Sequence, residues 1–209
     1  MNLNLDVDNL IKEFLEKKLG SCLISILKVS RTDENSLVPI SSVITLKCFI
    51  AGAKSLERER DAIIAGINDL NISNKCTNSS IECYTFKNFN SIMTKEGQQF
   101  AYNNFIKNEA NIVVFVLNDV LGGITKEEFD VAYETLMLND YRQPAIFVFS
   151  NKENEGIAEN KDIADLRIKI NDIKHYWIDY SSLEVLKLKI QLELDNWIKK
   201  ELKLTSGHK

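Results

Sequence analysis

The residue with the greatest chemical promise is Glu128, in the stretch Ile112-Val113-Val114-Phe115-Val116-Leu117-Asn118-Asp119-Val120-Leu121-Gly122-Gly123-Ile124-Thr125-Lys126-Glu127-Glu128-Phe129. An apolar strand, a short glycine-containing loop and a helix beginning after Thr125 would set a carboxylate at the C-terminal edge of a sheet, where α/β folds collect ligands. On a helical wheel Phe129, Ala132, Tyr133 and Leu136 form the apolar stripe, Glu127 points away from it and Glu128 lies on its flank. Two roles are open. Thr125-Lys126-Glu127-Glu128 fits the T-x-x-E capping box, in which Glu128 only reaches back to the N-cap amide. Alternatively, a first-turn carboxylate kept ionised by the helix dipole could stabilise positive charge in a reacting ligand.

A complementary charge is expected one βα unit earlier. Gly52-Ala53-Lys54-Ser55-Leu56 puts a residue without a side chain, a cation and a possible N-cap at a strand-to-helix junction, so phosphate could dock there. The spacing is not that of a P-loop. Arg60 falls on the apolar face one turn beyond Leu56, and a buried arginine needs an anionic partner from protein or ligand. The alternative is an arginine that snorkels to the surface beside Glu57 or Glu59. Phe86, Phe89 and Met93 sit in an irregular stretch where aromatics could stack on a flat ring or simply pack beneath the loop. Asn118 and Asp119, directly after the third strand, join Thr125 in the expected substrate-binding set.

These residues need a scaffold, and the chain from about Ile44 alternates strand with helix. Strands are expected at Ile44–Ala51, Ile81–Phe86, Ile112–Leu117, Ala145–Ser150 and His175–Tyr180. Helices are expected from Leu56, across Lys95–Glu109, after Thr125, across Lys161–Ile173 and from Ser182. Pro144 would mark a strand start. Five such units predict a flavodoxin-like doubly wound α/β fold, with a five-stranded, mainly parallel sheet and helices on both faces. Residues 1–43 stand outside the alternation. They read as an N-terminal extension, a helix over Val7–Leu19 and a strand over Cys22–Val29, before an α/β domain over 44–202 and a polar tail over 203–209. The last helix carries apolar residues on more than one face, among them Leu188 and Leu192, so it should pack on the sheet and on either the N-terminal helix or a second subunit.

Composition narrows the classes. A chain of 209 residues with 44% hydrophobic content builds one good core. A net charge of -4 with interspersed lysines argues against nucleic acid as a partner. No apolar run is long enough to span a bilayer and the N-terminus lacks the basic start of a signal peptide, so a cytoplasmic location without a membrane partner is expected. Cys22, Cys48, Cys76 and Cys83 form no C-x-x-C pair, and with only His175 and His208 present no metal site is expected. Asp119 lacks the acidic pair that would hold magnesium beside a phospho-accepting aspartate. Asn151-Lys152 lacks the aspartate of a guanine-reading motif, since Asn154 stands in its place.

Three blocks, Lys47-Cys48-Phe49-Ile50-Ala51-Gly52-Ala53-Lys54-Ser55-Leu56-Glu57-Arg58-Glu59-Arg60, Ala110–Leu117 and Gly123–Phe129, resemble the conserved segments of bacterial TIR (Toll/interleukin-1 receptor-like) domains. The likeness covers about Ile44–Leu202. It implies a flavodoxin-like fold and cleavage of NAD+ at the nicotinamide–ribose bond by a glutamate in the helix after the third strand, a position that Glu128 matches. It further implies activation by homo-oligomeric assembly, a role in bacterial anti-phage defence, and NAD+ as substrate rather than as a prosthetic cofactor. Under it, Lys54 and the Gly52–Ala53 loop would take the pyrophosphate and Phe86 or Phe89 would cover the nicotinamide. A TIR-like module that only signals by homotypic contact is the noncatalytic alternative. Gly123 to Glu128 also resembles, more loosely, the glutamate-bearing stretch of nucleoside deoxyribosyltransferases, which likewise set a carboxylate under an N-glycosidic bond.

Overall fold

The computed structural model describes residues 44–73, 79–89, 95–118, 121–151 and 161–206, with side chains as far as Glu201. The helix and strand expected within residues 1–43 lie outside the described residues. Five strands form one parallel sheet: β1 (Ile44–Gly52), β2 (Ser79–Tyr84), β3 (Ile112–Leu117), β4 (Ala145–Asn151) and β5 (Ile178–Tyr180), in the order β2-β1-β3-β4-β5. The helices between and after them are α1 (Glu57–Ser73), α2 (Gly97–Asn108), α3 (Gly123–Leu138), α4 (Lys161–Asp172) and α5 (Leu183–Ser206). This is the doubly wound, flavodoxin-like arrangement expected from the alternation of elements.

β3 explains why. All six residues of Ile-Val-Val-Phe-Val-Leu are buried, as a strand covered on both faces requires. Its side chains alternate between two cores. Ile112, Val114 and Val116 join Ile63, Ile67, Leu186, Ile190 and Leu194 of α1 and α5 on one face. Val113, Phe115 and Leu117 join Phe105, Phe129, Ala132, Ile163 and Leu166 of α2, α3 and α4 on the other. Each fully enclosed aliphatic or aromatic side chain contributes about 1.5–3 kcal/mol. α1 and α5 touch closely because Gly66 has no side chain: a Cβ there would stand 2.8 Å from Ile190 Cγ2.

Several element ends differ from the sequence expectation. β2 begins at Ser79, not Ile81, since Ser79 and Ser80 pair in register with Ile44 and Thr45 although both are polar. It stops at Tyr84 because Thr85 caps the 3-10 turn Phe86–Asn88. β5 shortens to three residues, which pair with Phe149, Ser150 and Asn151 of β4. Ala145 starts β4 directly after a cis Gln143–Pro144 bond. α5 runs to Ser206, so the first residues assigned to a polar tail are helical. Its inward stripe is Leu186, Ile190, Leu194 and Ile198, whereas Leu188 and Leu192 remain exposed. Cys48 is enclosed in a core and Cys83 is half-buried, both as free thiols whose ionisation burial opposes. No helix among the described residues is long and apolar enough to cross a membrane.

Candidate active site

The strand order reverses between β1 and β3, which pair with each other and send their following helices to opposite faces of the sheet. Such a switch point leaves a crevice beyond the strand ends. α1 and α3 begin on either side of it. Each brings a charged residue into its buried surface: Arg60 in the first turn of α1, 3% exposed, and Glu128 in α3, 4% exposed.

Glu128 is not part of a capping box. α3 begins at Gly123, with Gly122 as an N-cap of extended backbone that offers no side-chain bond; its carbonyl accepts the Lys126 N–H at 3.0 Å. Thr125 is thus already inside the helix and buried, and Glu128 belongs to the second turn. The helix starts earlier than the T-x-x-E pattern suggests because an N-cap needs an extended backbone and a carbonyl, and a glycine supplies both. Thr125, Glu128, Ala132 and Thr135 then share the buried stripe with Phe129. Glu127 is exposed, as the wheel requires, and its Oε1 accepts from Asn103 Nδ2 of α2 at 2.5 Å.

Among the described residues no hydrogen bond or ion pair reaches the Glu128 carboxyl. Burial pushes its pKa up to about 8; the neighbouring Glu127 carboxylate adds to the rise, and the Arg60 charge opposes it. This corrects the expectation that the helix N-terminus keeps the group ionised, since the dipole's influence fades beyond the first turn. Among the described residues, two side-chain polar atoms are fully enclosed without a partner, Gln99 Oε1 and the Tyr180 hydroxyl.

Arg60 is satisfied instead. Its Nη1 donates to the carbonyls of Gly52 at 3.2 Å and Ala53 at 2.6 Å, its Nη2 to the carbonyl of Lys54 at 3.2 Å, and its guanidinium lies 5.2 Å over the Phe86 ring. Carbonyl dipoles thus replace the expected anionic partner. The snorkelling alternative is not formed either, for Glu57 pairs with Lys87. Burial lowers the pKa of Arg60, while Glu57 leads the nearby carboxylates, Glu128 among them, that oppose the shift.

The remaining expected site residues divide. Gly52 pairs with Val116 of β3, and a Cβ on it would stand 2.7 Å from Val116 Cγ1 and 2.9 Å from Val116 O; the strand pairing itself demands glycine there. Ala53 is half-buried against the core, and Lys54 is exposed beyond it. Phe86 is half-buried beneath Arg60. Phe89 packs edge-on against Phe49, Tyr102 and Phe105, with ring centres 6.0, 5.1 and 5.4 Å away, as the packing alternative holds. Asn118 is half-buried at the end of β3 and has a bonding partner. Asp119 and Met93 lie outside the described residues. The structure adds Tyr102 of α2, buried, with its ionisation opposed chiefly by burial and then by Glu128. It also adds the chain Gln99 Nε2 to Asn103 Oδ1 at 3.0 Å, and Asn103 onward to Glu127. The available sequence signal was the apolar stripe Tyr102, Phe105 and Ile106, which marks that face of α2 as inward.

Fold and site together define a flavodoxin-like α/β protein with a buried carboxyl, unpaired among the described residues, beside its switch point. No protein-family model and no curated protein matches the chain.

Proposed function

We propose that this chain is a TIR-like NAD+ nucleosidase that cleaves the nicotinamide–ribose bond, with Glu128 as the catalytic carboxylate. One observation carries the reading: a carboxyl 4% exposed, without a hydrogen bond among the described residues, stands next to the switch point of a doubly wound sheet. Among the described residues such a carboxyl serves no structural hydrogen bond or ion pair, and its raised pKa marks a destabilising burial. The blocks of sequence around Arg60, β3 and Glu128 supply the resemblance to TIR domains.

The chemistry asks little else of the protein. The pyridinium ring of NAD+ departs as neutral nicotinamide and needs no proton, so the barrier lies in the oxocarbenium-like ribose left behind. An ionised Glu128 beneath that carbon would stabilise the developing charge or hold the ribose hydroxyls. Lys54, exposed after β1, would meet the pyrophosphate, and Phe86 would lie along the ring. Activity would depend on self-assembly, as the same resemblance implies. Incubating concentrated protein with NAD+ and following nicotinamide, beside Glu128→Ala and Glu128→Gln, tests the assignment; equal turnover by all three defeats it.

A noncatalytic, homotypic TIR-like module is the second reading. Its support is the outer face of α5, where Leu188 and Leu192 are 64% and 57% exposed. Assembly that depends on these leucines while NAD+ stays intact in the assembled state would favour it.

A further inference from the structure

The proposal concerns how the same carboxyl chooses its ligand, and it rests on the nucleosidase reading. α3 packs against β1, β3 and β4, which face it with Phe49, Ala51, Phe115, Leu117 and Val148, none of them titratable. Its own helix contributes Glu127, a like charge. From α2 comes the Tyr102 phenol, and from α1 comes Arg60. α4 offers Asp162 and Lys169, but these pair with Lys126 at 2.8 Å and Asp130 at 2.6 Å on the outer side of α3. Among the described residues Arg60 is the one cation facing the carboxyl, and its Nη1 and Nη2 donate to the three carbonyls of the β1–α1 loop. Nothing among the described residues is both positive and within bonding reach of Glu128.

A carboxyl enclosed in this way resists ionisation, because desolvating the anion costs far more than desolvating the acid. Among the described residues no counter-charge bonds to it, which leaves that role open to a ligand. We propose that the empty site holds Glu128 as a neutral carboxylic acid, and that a ligand bearing a fixed positive charge displaces its proton, so that the site selects pyridinium dinucleotides over their uncharged dihydro forms. The exchange balances simply: the Glu128 O–H bond breaks, the proton passes to solvent, and the carboxylate left behind faces the ring's charge. No covalent bond to the ligand forms. The carboxylate needed for catalysis therefore appears only when the leaving group that requires it has arrived.

The test uses the full chain at high concentration with two probes: a carbocyclic NAD+ analogue that keeps the pyridinium but lacks the scissile bond, and its dihydro form. Isotope-edited infrared spectra of protein labelled at glutamate should show one acid carbonyl band at pH 7 that is absent from Glu128→Gln and disappears near pH 8. At pH 7 the cationic analogue should release close to one proton per molecule bound, and the dihydro form none. Since the group passes from about one-tenth to about nine-tenths ionised between pH 7 and 9, affinity for the cationic analogue should rise about tenfold over that range while that for the dihydro form stays level. Glu128 already ionised at pH 6 in a protein that binds the cationic analogue would overturn this proposal and leave the nucleosidase reading standing, as would equal proton release by both probes. Binding of neither probe, with Glu128 still titrating near pH 8, would overturn the NAD+ reading and the selectivity built on it.

Discussion

The two strand-to-helix junctions at the switch point handle the same problem in opposite ways. After β1, a buried cation has partners: Arg60 gathers three consecutive carbonyls, rests on Phe86, and sits beside a glycine that the neighbouring strand makes obligatory. After β3, a buried acid is used by nothing: Glu128 has no partner among the described residues, and the glycines before it, Gly122 and Gly123, would each accept a Cβ with no atom within 4 Å. The first junction is architecture. The second carries a destabilising group and empty space, the combination expected where a ligand completes the arrangement.

Substitutions can break that contrast. The largest loss of stability should come from Arg60→Met, which removes the donors to three loop carbonyls and the cation over Phe86; a loss of about 3 kcal/mol in denaturant unfolding is expected. A change below about 1 kcal/mol would mean that the carbonyls find other donors and that the first junction is not held by Arg60.

Glu128→Gln should act in the other direction. The folded pKa of Glu128 is raised to about 8, above its unfolded value, so the native state binds the extra proton. The stability this group confers is complete below the unfolded pKa and is lost as pH climbs from about 4.5 through about 8. Gln is neutral throughout. The variant should match the parent near pH 4 and exceed it by roughly 2–4 kcal/mol at pH 8. A variant less stable than the parent at pH 8 would show that the carboxylate is satisfied after all.

The glycines should separate the junctions again. Gly52→Ala forces a methyl against Val116 Cγ1 and Val116 O, costing about 2 kcal/mol. Gly122→Ala and Gly123→Ala meet open space and should alter stability by no more than about 0.5 kcal/mol. Lowered nicotinamide release by either alanine, without lost stability, would place the ligand over that turn.

How far the sequence revealed this arrangement differs by element. The continuous apolar run of β3 and the wheel positions of Arg60, Glu127 and Glu128 depend on local periodicity, and periodicity survives folding. The start of α3 was hidden because a Gly-Gly N-cap has no distinctive side chain while Thr125-Lys126-Glu127-Glu128 imitates one. Arg60's partners were hidden for a deeper reason: every residue owns a carbonyl, so no pattern of side chains announces that three of them will converge. Tyr102 reaches the neighbourhood of Glu128 only through the packing of α2 on α3, a contact between segments that no spacing along the chain encodes.

The central claim is that Glu128, without a partner among the described residues, is completed by a ligand. It is tested most directly by nicotinamide release from NAD+ in concentrated, assembled protein, compared with Glu128→Gln assembled to the same extent. The account predicts steady release by the parent and a loss of about a hundredfold or more in the variant, whose fold is intact and, at pH 8, more stable. Equal release by the two proteins would contradict it.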